Sequence, residues 1–135
     1  MWPDGVTGLD HTADVGIAVR APTLEELFRR AAAGMVALVG GVEGAANSES
    51  HAVELAAPDR EALLVAWLRE VLFLFQTRAF QYVDAHFDVL SDTRLVARLD
   101  GTAAEPVMEL KGVTYHALAV RREDDGWLAR VVFDV

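Results

Sequence analysis

The fold is decided by one stretch near the start of the chain, Asp10-His11-Thr12-Ala13-Asp14-Val15-Gly16-Ile17-Ala18-Val19-Arg20. Alternate side chains of an extended chain share a face, so Asp10, Thr12 and Asp14 point one way. The intervening side chains are apolar from Ala13 onward and point the other way. The stretch therefore predicts a strand that has an oxygen-rich face and a core-building face.

Length and composition predict one globular domain with a hydrophobic core. The chain has 135 residues, of which 53% are hydrophobic and 24% are charged, and this excludes general disorder. We expect a single domain over residues 1–135. The opening residues lack the basic and apolar regions of a signal peptide, so we expect a cytoplasmic protein. Since the chain has no cysteine, disulfides, thiolate catalysis and cysteine-based zinc sites are excluded.

The charge balance indicates what kind of partner the chain attracts. The net charge is −9, and Lys111 is the only lysine, with the other basic residues being arginines spread along the sequence. Strong direct binding of nucleic acid is therefore not expected, because that binding depends on phosphates meeting lysine and arginine. An acidic chain instead attracts a basic partner, such as an enzyme that itself holds RNA. The alternative is that the acidity only keeps an apolar-rich domain in solution.

The first half of the chain alternates strand and helix. Thr23 and Glu26 form a capping box, and the apolar residues that follow recur at helical spacing until Gly40-Gly41. Residues 44–50 are small and polar and predict a loop, followed by a short strand over residues 51–56. Asp59 is the expected N-cap of a second helix, which is apolar on almost every side from Ala62 to Phe75.

That second helix is predicted to be the central buried helix. Charged residues interrupt it well short of the ~20 apolar residues that a membrane span needs. Trp67 and the phenylalanines are expected to be core rather than ligand-binding residues. Glu70 needs a partner or a route to solvent, because an acid within so apolar a helix is costly to bury.

The second half is predicted to consist of strands. Residues 87–89 and 95–99 flank a turn at 91–93, and the chain is expected to turn again at Asp100-Gly101 and to form a loop over 102–106. A long strand over 110–120 and a last strand over 127–135 are joined at Asp125-Gly126, a strong hairpin signal. Together these elements predict an α+β two-layer domain with two helices packed on a mostly antiparallel sheet of about six strands.

A metal site is one interpretation of the acidic residues at the two ends of the chain. Hard divalent cations such as Ca²⁺ take oxygen ligands, which Asp14, Asp134 and Val135 could supply if the strands that carry them were neighbours. Spacing along the sequence does not show that they are. The alternative is that Asp14 is a turn or cap residue and that Asp134 is a solvated strand end.

Other site chemistry finds little support in the sequence. His11 faces away from the aspartates in a regular strand and is expected to be a packed, hydrogen-bonded histidine rather than a site residue. For His116 the sequence leaves both of these interpretations open. No two histidines have helical zinc spacing, and Ser48 and Ser50 have no evident base. Phosphate-binding loops and the nucleophile elbow of hydrolases are also lacking. We therefore expect no catalytic residues and no enzyme activity.

Several segments together resemble the archease family. They are Asp10–Gly16, Thr23–Phe28, Ala31–Met35, Val113–Leu118 and Val132–Val135. They occur in the order of that family and cover nearly the whole chain. The resemblance implies that the strands at the two ends are neighbours and that Asp14, Asp134 and a main-chain oxygen of Val135 form a calcium site.

The resemblance also implies a function. Archeases are accessory proteins of RtcB-type RNA ligases, which join RNA ends in tRNA splicing or repair through a guanylylated histidine. The implied role is to promote guanylylation and multiple turnover. An alternative implied by the same family is a chaperone-like modulator of a tRNA cytosine methyltransferase. A third hypothesis, from the residues alone, is a small metal-dependent hydrolase that uses Asp14 and Asp134.

Overall fold

A computed structural model describes residues 2–10 and 15–135 of the chain. Within these ranges two helices and seven strands follow one another along the chain. Their bounds are β1 (Val6–Asp10), β2 (Val15–Ala21), α1 (Leu24–Val39), β3 (Gly41–Ala56), α2 (Arg60–Arg78), β4 (Phe80–Leu90), β5 (Arg94–Pro106), β6 (Gly112–Glu123) and β7 (Gly126–Asp134).

The strands form two antiparallel sheets. One has four strands in the order β1-β2-β7-β6, and the other has three in the order β3-β5-β4. The predicted α+β class, with two helices on antiparallel strands, is therefore confirmed. The expected strand number was about six in one sheet. The described residues contain seven strands in two sheets. The additional strand is β1, which ends at Asp10 and pairs with β2.

Two segments predicted as loops are strands. Residues 44–50 lie within β3 and residues 102–106 lie within β5. Ser48 pairs with Thr102, and residues 41–43 pair with residues 104–106. The register shifts between Glu43 and Ser48. Small and polar residues have weak strand preference, and here the ladder to a neighbouring strand overrides that preference.

The predicted turn at Asp100-Gly101 is also wrong, because β5 continues through it. A Cβ atom on Gly101 would lie 2.3 Å from the carbonyl oxygen of Gln81 and 2.6 Å from the ring of Phe80. Gly101 therefore allows β4 to approach β5 closely instead of reversing the chain.

The first helix begins as its capping residues predict. The amide of Glu26 donates to Thr23 Oγ1 at 3.1 Å. The Glu26 carboxylate accepts a hydrogen bond from Arg30 Nε at 3.3 Å. In the predicted capping box it would instead accept from the backbone amide of the N-cap residue. The helix ends at Gly40, whose φ of 70° suits a residue without a side chain.

The second helix is central, as predicted. The amide of Ala62 donates to the N-cap carboxylate of Asp59 at 2.8 Å. Trp67 is fully buried, and its indole nitrogen donates to the carbonyl oxygen of Phe28 in α1 at 2.9 Å. The interpretation as core is confirmed for Trp67 and Phe75 and is wrong for Phe73, which is 50% exposed. Glu70 is only partly buried, so its carboxylate has the route to solvent that the sequence called for.

The core lies between the helices and the two sheets. Helix α1 contacts β1, β2 and β7 of the larger sheet and β4 of the smaller one, and α2 contacts β6 together with β3, β4 and β5. The two helices also pack against each other. In the part of the chain that is described, neither helix combines the length and the apolar character that a membrane crossing requires.

Gly34 lies where α1 packs against the larger sheet, and this gives a testable prediction. Helix propensity alone predicts that Gly34→Ala stabilises α1 by about 1 kcal/mol. However, a Cβ atom there would lie 2.9 Å from Val6 Cγ1 and 3.1 Å from Ile17 Cδ1, in a fully packed core. Overpacking of this kind costs ~1–3 kcal/mol, so we expect a net loss of stability.

Thermal and urea unfolding of Gly34→Ala measure the balance between these two effects. The control is Ala37→Gly at an exposed position of the same helix, where propensity alone acts and about 1 kcal/mol should be lost. A Gly34→Ala protein more stable than the wild type would contradict the close packing.

Candidate functional site

The candidate site lies where β2 begins, β7 ends and β6 begins. Val15, at the start of β2, pairs with Phe133, and Gly112, at the start of β6, pairs with Asp134. The strand that follows the acidic motif and the last strand are therefore neighbours, which the sequence spacing did not show. Asp14 and His11 lie outside the described residues. The residue that follows Asp14 pairs with the residue that precedes Asp134.

Asp134 and Val135 present oxygen atoms at this edge. Asp134 is exposed, and its carbonyl oxygen accepts a hydrogen bond from the amide of Lys111 at 2.8 Å. That bond holds the end of β7 against the segment that leads into β6. Val135 is 44% exposed. A carboxylate on a fixed backbone, open to solvent, can accept hydrogen bonds or ligate a hard cation.

The described residues alone do not complete a metal site. Across ranges 2–10 and 15–135, no three histidine, aspartate or glutamate side chains are grouped so that they could hold an ion. The predicted set of Asp14, Asp134 and Val135 includes one residue outside those ranges. Its use as a metal site therefore stays a prediction.

Strand β6 has an irregular segment beside the site. Its register with β7 shifts between Thr114 and Ala119, and Ala117 has a φ of 53°, in the left-handed region. The Thr114 hydroxyl donates to the carbonyl oxygen of Val132 at 3.0 Å and accepts from the amide of His116 at 3.3 Å. This segment is therefore a bulge in β6, and the Thr114 hydroxyl is bonded to both strands where the bulge begins.

The bulge presents Tyr115 and His116 to solvent. Tyr115 is 58% exposed, and His116 is also exposed. Of the two interpretations that the sequence leaves open for His116, this excludes a packed histidine. Sequence reasoning did not select Tyr115. The signal that could have done so is the pair of large polar residues Tyr115-His116 in a strand whose alternation breaks there.

Helix α2 supports the bulge from behind. Arg69 Nη2 donates to the carbonyl oxygen of Val113 at 3.1 Å, and its guanidinium carbon lies 5.6 Å from the centre of the Tyr115 ring. Gln76, two turns along the same helix, donates to the carbonyl oxygen of Leu110 at 3.0 Å. The site is thus carried by strands whose approach is fixed by side chains of a buried helix, an arrangement that holds a surface site in place.

Titratable groups elsewhere in the described residues do not form a nucleophile and base pair. Ser50 donates to the carboxylate of Asp100 at 2.7 Å, and this hydrogen bond lowers the pKa of Asp100. A carboxylate held in its charged form on an exposed strand is a weak base for a serine hydroxyl. Burial raises the pKa of Tyr82, whose hydroxyl donates to the carbonyl oxygen of Arg29, so it keeps its proton as a structural group.

Comparison with known proteins gives a consistent result. The Archease protein family matches residues 7–135. The protein archease of Methanosarcina barkeri is 31% identical over 136 residues, which cover 94% of this chain and 93% of that protein. A solution structure from Methanobacterium thermoautotrophicum is similar with a TM-score of 0.68 and 27% identity, and covers 97% of this chain and 99% of its own.

A second solved structure shares the fold. It is the crystal structure of an archease from Thermotoga maritima, described as a possible chaperone, and its TM-score is 0.68. The match covers 96% of each chain at 20% identity.

Proposed function

Because the chain belongs to the archease family, we propose that it is an accessory protein of an RtcB-type RNA ligase in tRNA splicing or RNA repair. In this role it promotes guanylylation of the ligase and permits multiple turnover, without joining RNA itself. The observation that carries the proposal is the edge where β2, β6 and β7 meet, with the exposed Asp134 beside the start of the strand that follows Asp14.

A hard divalent cation, with Ca²⁺ as the first candidate, fits the oxygen donors at this edge. In the proposal Asp14 and Asp134 supply carboxylates and Val135 supplies a main-chain oxygen. Grouped anions repel one another, and a cation removes that cost. So few protein ligands leave coordination positions open, since Ca²⁺ takes six to eight oxygens. When bound, the cation supplies a positive charge that a phosphate or a carboxylate of the partner can approach.

The residues around the edge support contact with a protein partner. Tyr115, in the bulge of β6, and Val135, which follows Asp134, are large exposed hydrophobic residues. An amphipathic tyrosine is typical of the buried centre of protein interfaces. The net charge of −9 favours approach to a basic surface, which an enzyme that holds RNA provides. In the proposed docking, the acidic chain is attracted to a basic surface of the ligase. Tyr115 then makes an aromatic contact with the ligase near the metal ligands.

The test is multiple-turnover RNA ligation by the cognate ligase with and without the purified chain. We expect about one product per ligase molecule without the chain and many with it, because the accessory acts on the recharging of the ligase with guanylate. A separate calorimetric titration of the isolated chain with Ca²⁺ should reveal one site. Absence of stimulation by a folded wild-type chain would overturn the ligase role whatever the titration gives.

A chaperone-like action on a tRNA cytosine methyltransferase is the second candidate. It is supported by the description of the Thermotoga maritima relative as a possible chaperone. This candidate predicts a complex with the methyltransferase and an altered choice of methylation sites, with no effect on ligation.

Direct hydrolysis is the third candidate and uses the same aspartates. A screen of phosphoesters with Ca²⁺, Mg²⁺ or Mn²⁺ tests it, since both accessory roles predict no turnover by the chain alone. Turnover that is lost in Asp134→Asn would favour the hydrolase over either accessory role.

A further inference from the structure

A hollow lies on the outer face of the four-stranded sheet, away from the helices. Its volume is about 540 Å³, within the range of small-molecule sites. Three arginines from three different strands line it: Arg20 of β2, Arg121 of β6 and Arg130 of β7. Arg121 and Arg130 lie on the two arms of the β6–β7 hairpin. Arg20 is distant in sequence, and the pairing of β2 with β7 brings it to them.

The strand register explains why the three side chains share this hollow. Leu128 pairs with Arg20 on one side and with Arg121 on the other, so the two arginines flank one leucine in a single row. In the next row of the same face Arg130 lies between Ala18 and Ala119. Because those neighbours are alanines, the space beside Arg130 stays open instead of being filled by side chains.

The position of Arg20 is fixed by its backbone. Its amide donates to the carbonyl oxygen of Gly5 at 2.8 Å, and its carbonyl oxygen accepts from Arg30 Nη1 at 2.9 Å. Gly5 has a φ of 75°, and a Cβ atom there would lie 2.3 Å from the carbonyl oxygen of Arg20. One wall of the hollow is therefore held by two hydrogen bonds and a glycine that permits the close approach.

The charge of the hollow contrasts with that of the whole chain. Acidic residues outnumber basic ones by 21 to 12, yet the described residues that line the hollow include no acid. Arg20 makes an exposed ion pair with Glu123 at 3.6 Å, and an exposed pair contributes little to stability. Within the described part of the chain Arg121 and Arg130 form no ion pair with a carboxylate. Like charges on neighbouring strand positions repel, so an anion bound among them would stabilise the arrangement.

We propose that this hollow binds a small phosphate-bearing molecule. Guanidinium groups match phosphate oxygens with paired hydrogen bonds, and Thr7, also at the rim, adds a hydroxyl donor. The hollow is larger than one phosphate, and Leu9 and Leu128 give it an apolar floor. Leu128 is only 4% exposed although it lies on the outer face. The phosphate therefore meets the arginines while an organic part of the ligand lies on the leucines.

A small molecule fits this site better than a nucleic acid. A nucleic-acid backbone is held by an extended basic groove, whereas here the three arginines meet in one hollow. The whole chain has a net charge of −9 and repels a long polyanion. The ligand is thus recognised locally and not drawn in by the field of the whole chain. The proposal does not depend on the ligase.

The test uses isothermal titration of the isolated chain with inorganic pyrophosphate and with ATP at low ionic strength, without added metal. We expect both to bind, with ATP tighter because its base and sugar contact the apolar floor. Arg121→Gln and Arg130→Gln should each weaken binding about tenfold, the scale of a lost charge-assisted hydrogen-bond pair. Amide resonances of Ala18 and Ala119 should shift in the wild-type protein when ligand is added.

The control is Arg98→Gln, an exposed arginine of β5 in the other sheet with the same change of charge. It should bind as the wild type does. Equal weakening in Arg98→Gln would show general charge attraction and would overturn the site. So would the lack of binding and of shifts at millimolar ligand. A single-stranded RNA oligonucleotide that binds where ATP does not would overturn the assignment to a small molecule.

Discussion

Asp134→Asn is expected to abolish the stimulation of RNA ligation and to leave the fold intact, and Asp14→Asn is expected to do the same. Asp134 is exposed at the last position of β7, so its loss removes no packing. Asparagine keeps the shape and one possible oxygen ligand, but it removes the negative charge that favours binding of a hard cation. Changes in residues that merely support a metal ligand already weaken binding by ~10–100-fold, so loss of a carboxylate ligand should exceed this. Multiple-turnover ligation and Ca²⁺ titration give the two readouts.

The matched control for this prediction is Asp88→Asn. Asp88 is exposed on β4 of the other sheet, where it pairs with His86 at 3.5 Å, and the substitution changes the net charge by the same amount. It should retain both stimulation and Ca²⁺ binding. If Asp134→Asn stimulates ligation fully, the metal edge has no part in the function. If Asp88→Asn fails as well, the overall acidity of the chain is what the ligase requires.

The helices and the last hairpin could be predicted from sequence because their signals are local. Thr23 and Asp59 are N-caps at the positions where the apolar periodicity begins, and Gly40 ends the first helix. The hairpin at Asp125-Gly126 joins β6 and β7 as expected. In each case residues close in sequence determine the backbone, so no knowledge of distant neighbours is needed.

The long strands β3 and β5 could not be predicted because their pairing is with each other. Residues 44–50 and 102–106 are small or polar and have the composition of loops, but Ser48 pairs with Thr102 and Gly41 with Pro106. The division into two sheets has the same origin. Which strands are neighbours depends on contacts between distant segments, and the alternation within one strand does not record them.

The sequence points to acidic residues for the candidate site but not to the side chains that support it, and metal binding by Asp14 and Asp134 stays a prediction. Asp134 is the lone acid at the end of an apolar strand, and the resemblance to archeases implies that it is a metal ligand. Arg69 was read only as an interruption of an apolar helix, whereas its guanidinium reaches Val113 and the ring of Tyr115. The arginine hollow could not be predicted because Arg20 becomes a neighbour of Leu128 only through the pairing of the distant strands β2 and β7.

Trp67→Ala is expected to have the largest effect on stability of any change in the core. Trp67 is fully buried, with ring centres 6.2 Å from Tyr82 and 5.3 Å from Phe87, and its indole nitrogen donates to Phe28 in α1. It therefore links α2 both to α1 and to β4. Replacing a buried tryptophan by alanine costs ~3–5 kcal/mol, a large part of the ~5–15 kcal/mol of a typical domain. Urea unfolding followed by circular dichroism measures the loss.

Two further variants separate the causes of that loss. Trp67→Phe removes the indole donor and part of the volume, and since Phe28 keeps its helical hydrogen bond, it should cost less than half as much. This variant also yields a measured value if Trp67→Ala is unfolded in water. Phe73→Ala, on the same helix but 50% exposed, should change stability by no more than ~0.5 kcal/mol. Equal losses at positions 67 and 73 would contradict the placement of the core, because burial is what distinguishes the two aromatic residues.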